Sequence, residues 1–131
     1  MKKLTKQELN GLKRGDVIIA DLPAGTGAEK RGVRPCVVVS GQSINALSDN
    51  IIITPLTKAK NKRDEHNKLK LLDTQVLITR HNYMFLSEDS IVQTEDIRSI
   101  SKDRIGQIIG KLDATDILKI QNTINYIVFE K

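Results

Sequence analysis

The stretch from Gly25 to Pro35, GTGAEKRGVRP, holds the densest set of groups in the chain that could act on another molecule. One carboxylate, Glu29, and three cations, Lys30, Arg31 and Arg34, stand among three glycines, and Pro35 leads into the apolar run Cys36 to Val39. Glycine loses more backbone freedom on ordering than any other residue, so this cluster marks a loop. The valines behind it read as a buried strand that anchors the loop at one end. Charged groups on a loop held by a rigid strand are a common construction for binding and catalysis. A second reactive group lies at the end of the next apolar run, Ile51-Ile52-Ile53-Thr54-Pro55-Leu56-Thr57, where the hydroxyl of Thr57 directly precedes a basic tract. An arginine is always charged and can hold two phosphate oxygens in a fork, a hydroxyl can donate to a phosphate, and a carboxylate can accept a proton. Arg34, Thr57 and Glu29 are therefore the groups to place in space.

The charge balance points the same way. Lys and Arg number 21 against 16 Asp and Glu, a net charge of +5 with a pI near 9.4, which favours anionic partners such as nucleic acid or an acidic protein. The tract from Lys58 to Lys70 contributes six of the cations, including Lys58, Lys60, Lys62 and Arg63, with hardly any apolar residue before Leu69, and is expected to be a solvated loop. Beside an RNA groove such a loop attracts phosphates and makes binding salt-dependent. Cys36 is the one cysteine, so a disulfide within the chain is excluded and a cysteine metal site is not expected; a reducing cytoplasm suits it. No apolar run approaches the roughly 18 residues of a membrane span, and Lys6, Glu8, Lys13 and Arg14 interrupt any signal-like hydrophobic region, so a soluble, unexported protein is expected. His66 and His81 lie in polar, loop-like sequence and read as surface residues. Tyr83 and Phe85, half of the four aromatic residues, can stack on unpaired bases but are expected to pack in a core or interface.

The elements that must position these groups are short. A length of 131 residues fits one domain, 1–131, with residues 1–12 as a short helical extension opened by the capping pattern Thr5-Lys6-Gln7-Glu8. Strands are expected at Val17 to Ala20, Cys36 to Ser40, Ile51 to Thr57, Gln75 to Thr79, and Gly106 to Leu112, with Pro55 at an edge or strand end. Leu69 to Leu71 alternates like a further half-buried strand, and Ser90 to Gln93 with Asp96 to Ile100 reads as one long or two short strands. Gly41 to Asn50 has room for one helical turn. Asp113 caps a final helix whose stripe is Ile117, Ile120, Ile124, Ile127 and Val128. Many short strands before one good helix, without β-α alternation, imply a mainly β, α+β fold: a small antiparallel barrel or strongly bent sheet closed by a C-terminal helix.

The ordered set Arg14-Gly15-Asp16-Val17, Ala20-Asp21-Leu22, Gly27-x-Glu29, Gly32-Val33-Arg34-Pro35, Thr57 and Asp96-Ile97-Arg98-Ser99-Ile100, followed by the closing helix, resembles the MazF/PemK family of toxin endoribonucleases. The resemblance implies an SH3-like β-barrel of the CcdB/MazF kind, a cytoplasmic homodimer, and metal-independent cleavage of single-stranded RNA with no cofactor, held in check by a cognate acidic antitoxin. It places catalysis on Arg34 and Thr57, with Glu29 as the loop acid, and substrate contacts at Asp96 and Arg98 beside the cations Lys30, Arg31, Lys58, Lys60, Lys62 and Arg63. The chain departs from one branch of the family at Ala28, Gln93 and Glu95, so that branch's histidine-based acid/base set is absent. Two other readings stay open on the sequence: a non-enzymatic gyrase poison on the same fold, and a plain RNA-binding module.

Overall fold

The computed structural model describes residues 3–25, 27 and 31–130, and is built on one antiparallel sheet of seven strands. In chain order the elements are α1 (Lys6–Asn10), β1 (Asp16–Leu22), β2 (Gly32–Val38), α2 (Gln42–Leu47), β3 (Asn50–Lys58), β4 (Gln75–Ile78), β5 (Ser90–Gln93), β6 (Arg98–Ser101), β7 (Ile105–Lys111) and α3 (Ala114–Phe129). Hydrogen-bonded neighbours follow the path β4-β5-β3-β2-β1-β7, with β6 also on β3. The two ends of the path, β4 and β7, do not pair, so the α+β class holds while the sheet stays open. Irregularities at Val17/Ile18 and Ile19/Ala20 interrupt the β1–β7 register, the kind of defect that bends a sheet.

Side-chain alternation gives the sheet two apolar faces. One gathers Ile18, Ala20, Cys36, Val38, Ile51 and Ile53, and α1 covers it with Leu9 and, just beyond its end, the buried Leu12. The Thr5–Glu8 capping box forms in full, and Lys102 Nζ donates to Asn10 Oδ1 at 2.9 Å, so the N-terminal helix is tied to the core. The second face gathers Val17, Val37, Leu56, Val92, Tyr83 and Leu112 under α3. Gly15, with φ +94°, makes the turn into β1 at a point where a Cβ would lie 2.3 Å from Ile117 Cδ1; only glycine lets α3 settle this close. Asp113 caps α3 by accepting from the Asp116 N–H, as its sequence position implies.

The structure differs from the sequence expectation at four places. Strand β2 begins at Gly32 rather than Cys36, because β1 is long enough to pair with it through Leu22↔Gly32. Pro55 lies inside the central strand β3. On one side of β3, β6 pairs as far as Ile53 and β5 begins at Leu56, with the short 3-10 turn Thr94–Asp96 between them. Pro55 thus stands where that ladder is broken, the place a residue without an N–H costs least. The same turn divides the 90–100 segment into two short strands, the second of the two expected forms. Leu69 to Leu71 is not a strand of the sheet: Leu69 makes a single bridge to Arg63, and Leu71 and Leu72 are exposed. Finally, the packed stripe of α3 is Ile117, Ile120 and Ile124, whereas Val128 is 54% exposed because the sheet ends before the helix does.

Candidate active site

Arg34 is held in β2 opposite Ala20 of β1, and the β2–β3 ladder ends two residues beyond it, with Cys36 opposite Pro55. Continued past that last pair, the antiparallel register leads from Arg34 toward Thr57, since residues two apart on a strand share a face. Groups 23 positions apart in the chain thus line one cleft of about 530 Å3. Val33, Pro35, Leu56 and Lys58 alternate with them and line it too, so the cleft wraps the edge where β2 begins and β3 ends. Arg34 Nε donates to the Arg31 carbonyl at 3.3 Å, which leaves its two terminal nitrogens to act as a fork. Among the described residues no carboxylate forms an ion pair with Arg34, and the Thr57 hydroxyl, on a residue 7% exposed, has no hydrogen-bond partner. A fork of N–H donors and an unengaged hydroxyl face one space: an arrangement suited to a phosphate.

The other sequence-derived residues fall in three places. Glu29 and Lys30 lie outside the described residues. Lys58 lines the cleft and pairs with Glu88 at 3.6 Å; Lys60 reaches the same carboxylate at 3.9 Å. Lys62 closes a 3-10 turn, and Arg63 Nη1 donates to the Asn67 carbonyl at 3.1 Å, so the basic tract is partly organised while its cations face solvent. Asp96 and Arg98 form a 3.7 Å ion pair, their side chains only 15% and 17% exposed, and neither lines the cleft. Their charges, like that of Arg34, are felt by the buried Cys36. Burial pushes the Cys36 thiol up to about 12, the Arg98 and Arg34 cations pull it partly back, and Asp96 opposes them. The thiol is neutral at ordinary pH and is no nucleophile.

Sequence reasoning missed the far wall of the cleft, formed by Phe85, Gln107, Asn61 and Ile109. The only signal available was the scarcity of aromatics, which made Phe85 conspicuous without saying where it points. Its neighbour Tyr83 is structural: it is buried, its Oη donates to Asp116 Oδ2 at 2.6 Å and accepts from the Asp113 N–H at 3.0 Å; burial and the bond to Asp116 push its phenol well above the usual range, and the Asp113 N–H pulls it partly back.

Residues 13–128 match the family model described as PemK-like, MazF-like toxin of type II toxin-antitoxin system. The chain belongs to this toxin family. Its MazF-like relatives include the endoribonuclease MazF of Staphylococcus epidermidis, 32% identical over 114 residues that cover 87% of this chain and 88% of that protein. The endoribonuclease MazF of Staphylococcus saprophyticus is 30% identical over the same share of each chain. Among solved structures, MazF from Deinococcus radiodurans superposes with a TM-score of 0.71 at 17% identity, covering 89% of this chain and 96% of that one. A mycobacterial endoribonuclease in complex with its cognate antitoxin gives 0.69 at 19% identity, covering 92% and 98%. These last two likenesses carry the MazF-like fold, and the staphylococcal relatives carry the family. Among the described residues no helix is long and apolar enough to cross a membrane.

Proposed function

We propose that this chain is the toxin of a type II toxin-antitoxin pair, an endoribonuclease that cuts single-stranded RNA at short specific sequences. The observation that carries the reading is that Arg34 and Thr57 line one cleft, in a chain whose staphylococcal relatives are endoribonucleases. The neighbouring 2'-oxygen attacks phosphorus while a base takes its proton, the P–O5' bond breaks, and the departing 5'-oxygen gains a proton. The products are a 2',3'-cyclic phosphate and a 5'-hydroxyl. Arg34 holds the phosphoryl oxygens and stabilises the extra negative charge of the phosphorane; Thr57 donates to the phosphate or the leaving oxygen; Glu29 is the base. Lys30, Arg31, Lys58, Lys60, Lys62 and Arg63 supply the field that draws in RNA, with Asp96 and Arg98 as further RNA contacts. The enzyme works as a cytoplasmic homodimer, needs no metal or cofactor, and is silenced by an acidic antitoxin segment complementary to the basic groove.

The deciding experiment is incubation of the purified protein with single-stranded RNA of varied sequence in excess chelator. Cleavage with cyclic phosphate ends is expected, and Arg34→Ala should lower the rate about 100- to 1,000-fold. Equal cleavage by Arg34→Ala would sink the mechanism. Binding of RNA without cleavage favours a binding module, and tight binding of gyrase favours a poison acting by protein contact.

A further inference from the structure

The cleft is chemically divided. Its cations Arg34 and Lys58 and the Thr57 hydroxyl belong to β2 and β3, whereas Phe85 and Gln107 stand at the opposite side, over β7. Between them run Ile19, Pro35 and Leu56. Ile19 is in register with Gln107 on one side and with Pro35 on the other, so this apolar row crosses the sheet from β7 to β3. A phosphate site alone has no use for such a floor.

The Phe85 ring is held firmly. It lies so close to Gly110 that a Cβ there would be 2.3 Å from its Cδ2, and its centroid is 5.6 Å from that of Tyr83, which is itself anchored by two hydrogen bonds to the start of α3. The ring is half-buried and still lines the cleft. The exposed Gln107 and Asn61 bring carboxamides to the same space, and among the described residues neither has a hydrogen-bond partner. Each can donate and accept at once, the pattern that base edges demand.

We infer that Phe85 is the stacking platform for an unpaired nucleobase next to the scissile phosphate, with Gln107 reading the edge of that base. A rigid aromatic is sequence-tolerant on its own, since every base has a π-face. Preference for one base then comes from the amide beside it, and Phe85 with Gln107 forms a specificity subsite distinct from Arg34 and Thr57. This inference rests on the RNA-cleaving reading, and its test separates the two.

The probe is an RNA carrying a mapped cut site, made uncleavable by a 2'-deoxy substitution at the attacking nucleotide, with 2-aminopurine placed in turn at positions around it. Stacking on Phe85 should quench fluorescence at one position. Phe85→Leu should abolish that quench and raise Kd about 5- to 150-fold, and Phe85→Tyr should restore both. Gln107→Ala should keep the quench but relax base preference at that position about 10-fold in the cut-site profile. Because Phe85 packs on Gly110 and Tyr83, circular dichroism checks the fold of Phe85→Leu; should that variant not fold, the exposed Gln107→Ala carries the test. An unchanged quench and cut profile in Phe85→Leu, or an unchanged profile in Gln107→Ala, overturns the subsite while cleavage lost in Arg34→Ala leaves the nuclease standing. Absence of cleavage by the wild-type protein overturns the nuclease reading instead.

Discussion

Gly110→Ala tests whether the wall of the cleft is set by one missing methyl group. Gly110 lies in β7 opposite Val17, and its backbone angles are of the kind any L-residue adopts, so the substitution introduces no φ strain. The ring of Phe85 is the obstacle. A Cβ at Gly110 would sit 2.3 Å from Cδ2, 2.4 Å from Cε2 and 2.7 Å from Cγ of that ring. Comfortable carbon contacts are about 3.5–4.0 Å, so the ring must retreat by about 1 Å or more. Turning about χ2 cannot relieve the clash at Cγ, which lies on that axis, and Tyr83 blocks one way out at a centroid distance of 5.6 Å. The ring must swing at χ1, toward the cleft. Overpacking of this size costs about 1–3 kcal/mol, offset in part by about 0.4–1 kcal/mol from removing a glycine's freedom in the unfolded chain. With a urea dependence of about 1–3 kcal/mol per molar, the denaturation midpoint should fall by several tenths of a molar to about 1.5 M. The decisive comparison repeats the substitution in a Phe85→Ala background, at fixed protein concentration. With the ring gone, Gly110→Ala should be neutral or stabilising, a coupling of about 1 kcal/mol or more. An equal cost in both backgrounds, or no cost in the wild-type protein, would refute the steric account.

Three further outcomes follow from the packing. Asn45 is fully buried and donates to the carbonyls of Leu12 and Ser40, both at 3.0 Å, while accepting from the Ser40 hydroxyl, which in turn accepts from Ile52 N–H at 3.1 Å. Asn45→Ala strands these groups and should cost about 3–5 kcal/mol in chemical denaturation; a loss below about 1 kcal/mol contradicts its role as a hub. Tyr83→Phe leaves the Asp116 carboxylate, on a residue 8% exposed, and the Asp113 N–H without their phenol partner, and should lower stability by about 2–4 kcal/mol, read as a thermal shift of roughly 6–16 °C. The Cys36 thiol is raised from its ordinary 9.0 to about 12, so its neutral form is favoured by folding. Its contribution is fully present below pH 9 and is lost as pH rises toward 12, with a slope of about 1.4 kcal/mol per pH unit. Cys36→Ala should flatten that alkaline limb, measured by urea denaturation between pH 8 and pH 11, and an unchanged slope refutes the assignment.

Local signals were legible wherever the stabilising partner lies within a turn or two along the chain. The Thr5–Glu8 capping box, the Asp113 cap of α3 and the β-branched runs of β1 and β3 are such cases, because their hydrogen bonds and rotamer preferences are decided by neighbours. The ordered motifs also carried the family and the pattern of short strands the α+β class, while composition gave a basic balance that favours anionic partners. Tertiary structure decided what depends on remote chain. Pro55 belongs in mid-strand only because the turn at Thr94–Asp96 breaks the ladder beside it, a fact carried about forty residues away. Leu69 to Leu71 has a strand's alternation but joins no strand of the sheet, and it pairs instead with its own loop, Leu69 bridging Arg63 and the Lys70 N–H donating to the Lys62 carbonyl at 2.7 Å. The loop from Gly25 could be read as charged and anchored, yet the pairing of β2 with β3 brings Arg34 and Thr57 to one cleft, and the absent Cβ of Gly110 lets Phe85 complete it. Residue types determined which chemistry is possible here; the pairing of distant strands, which no local preference encodes, decided which groups meet to perform it.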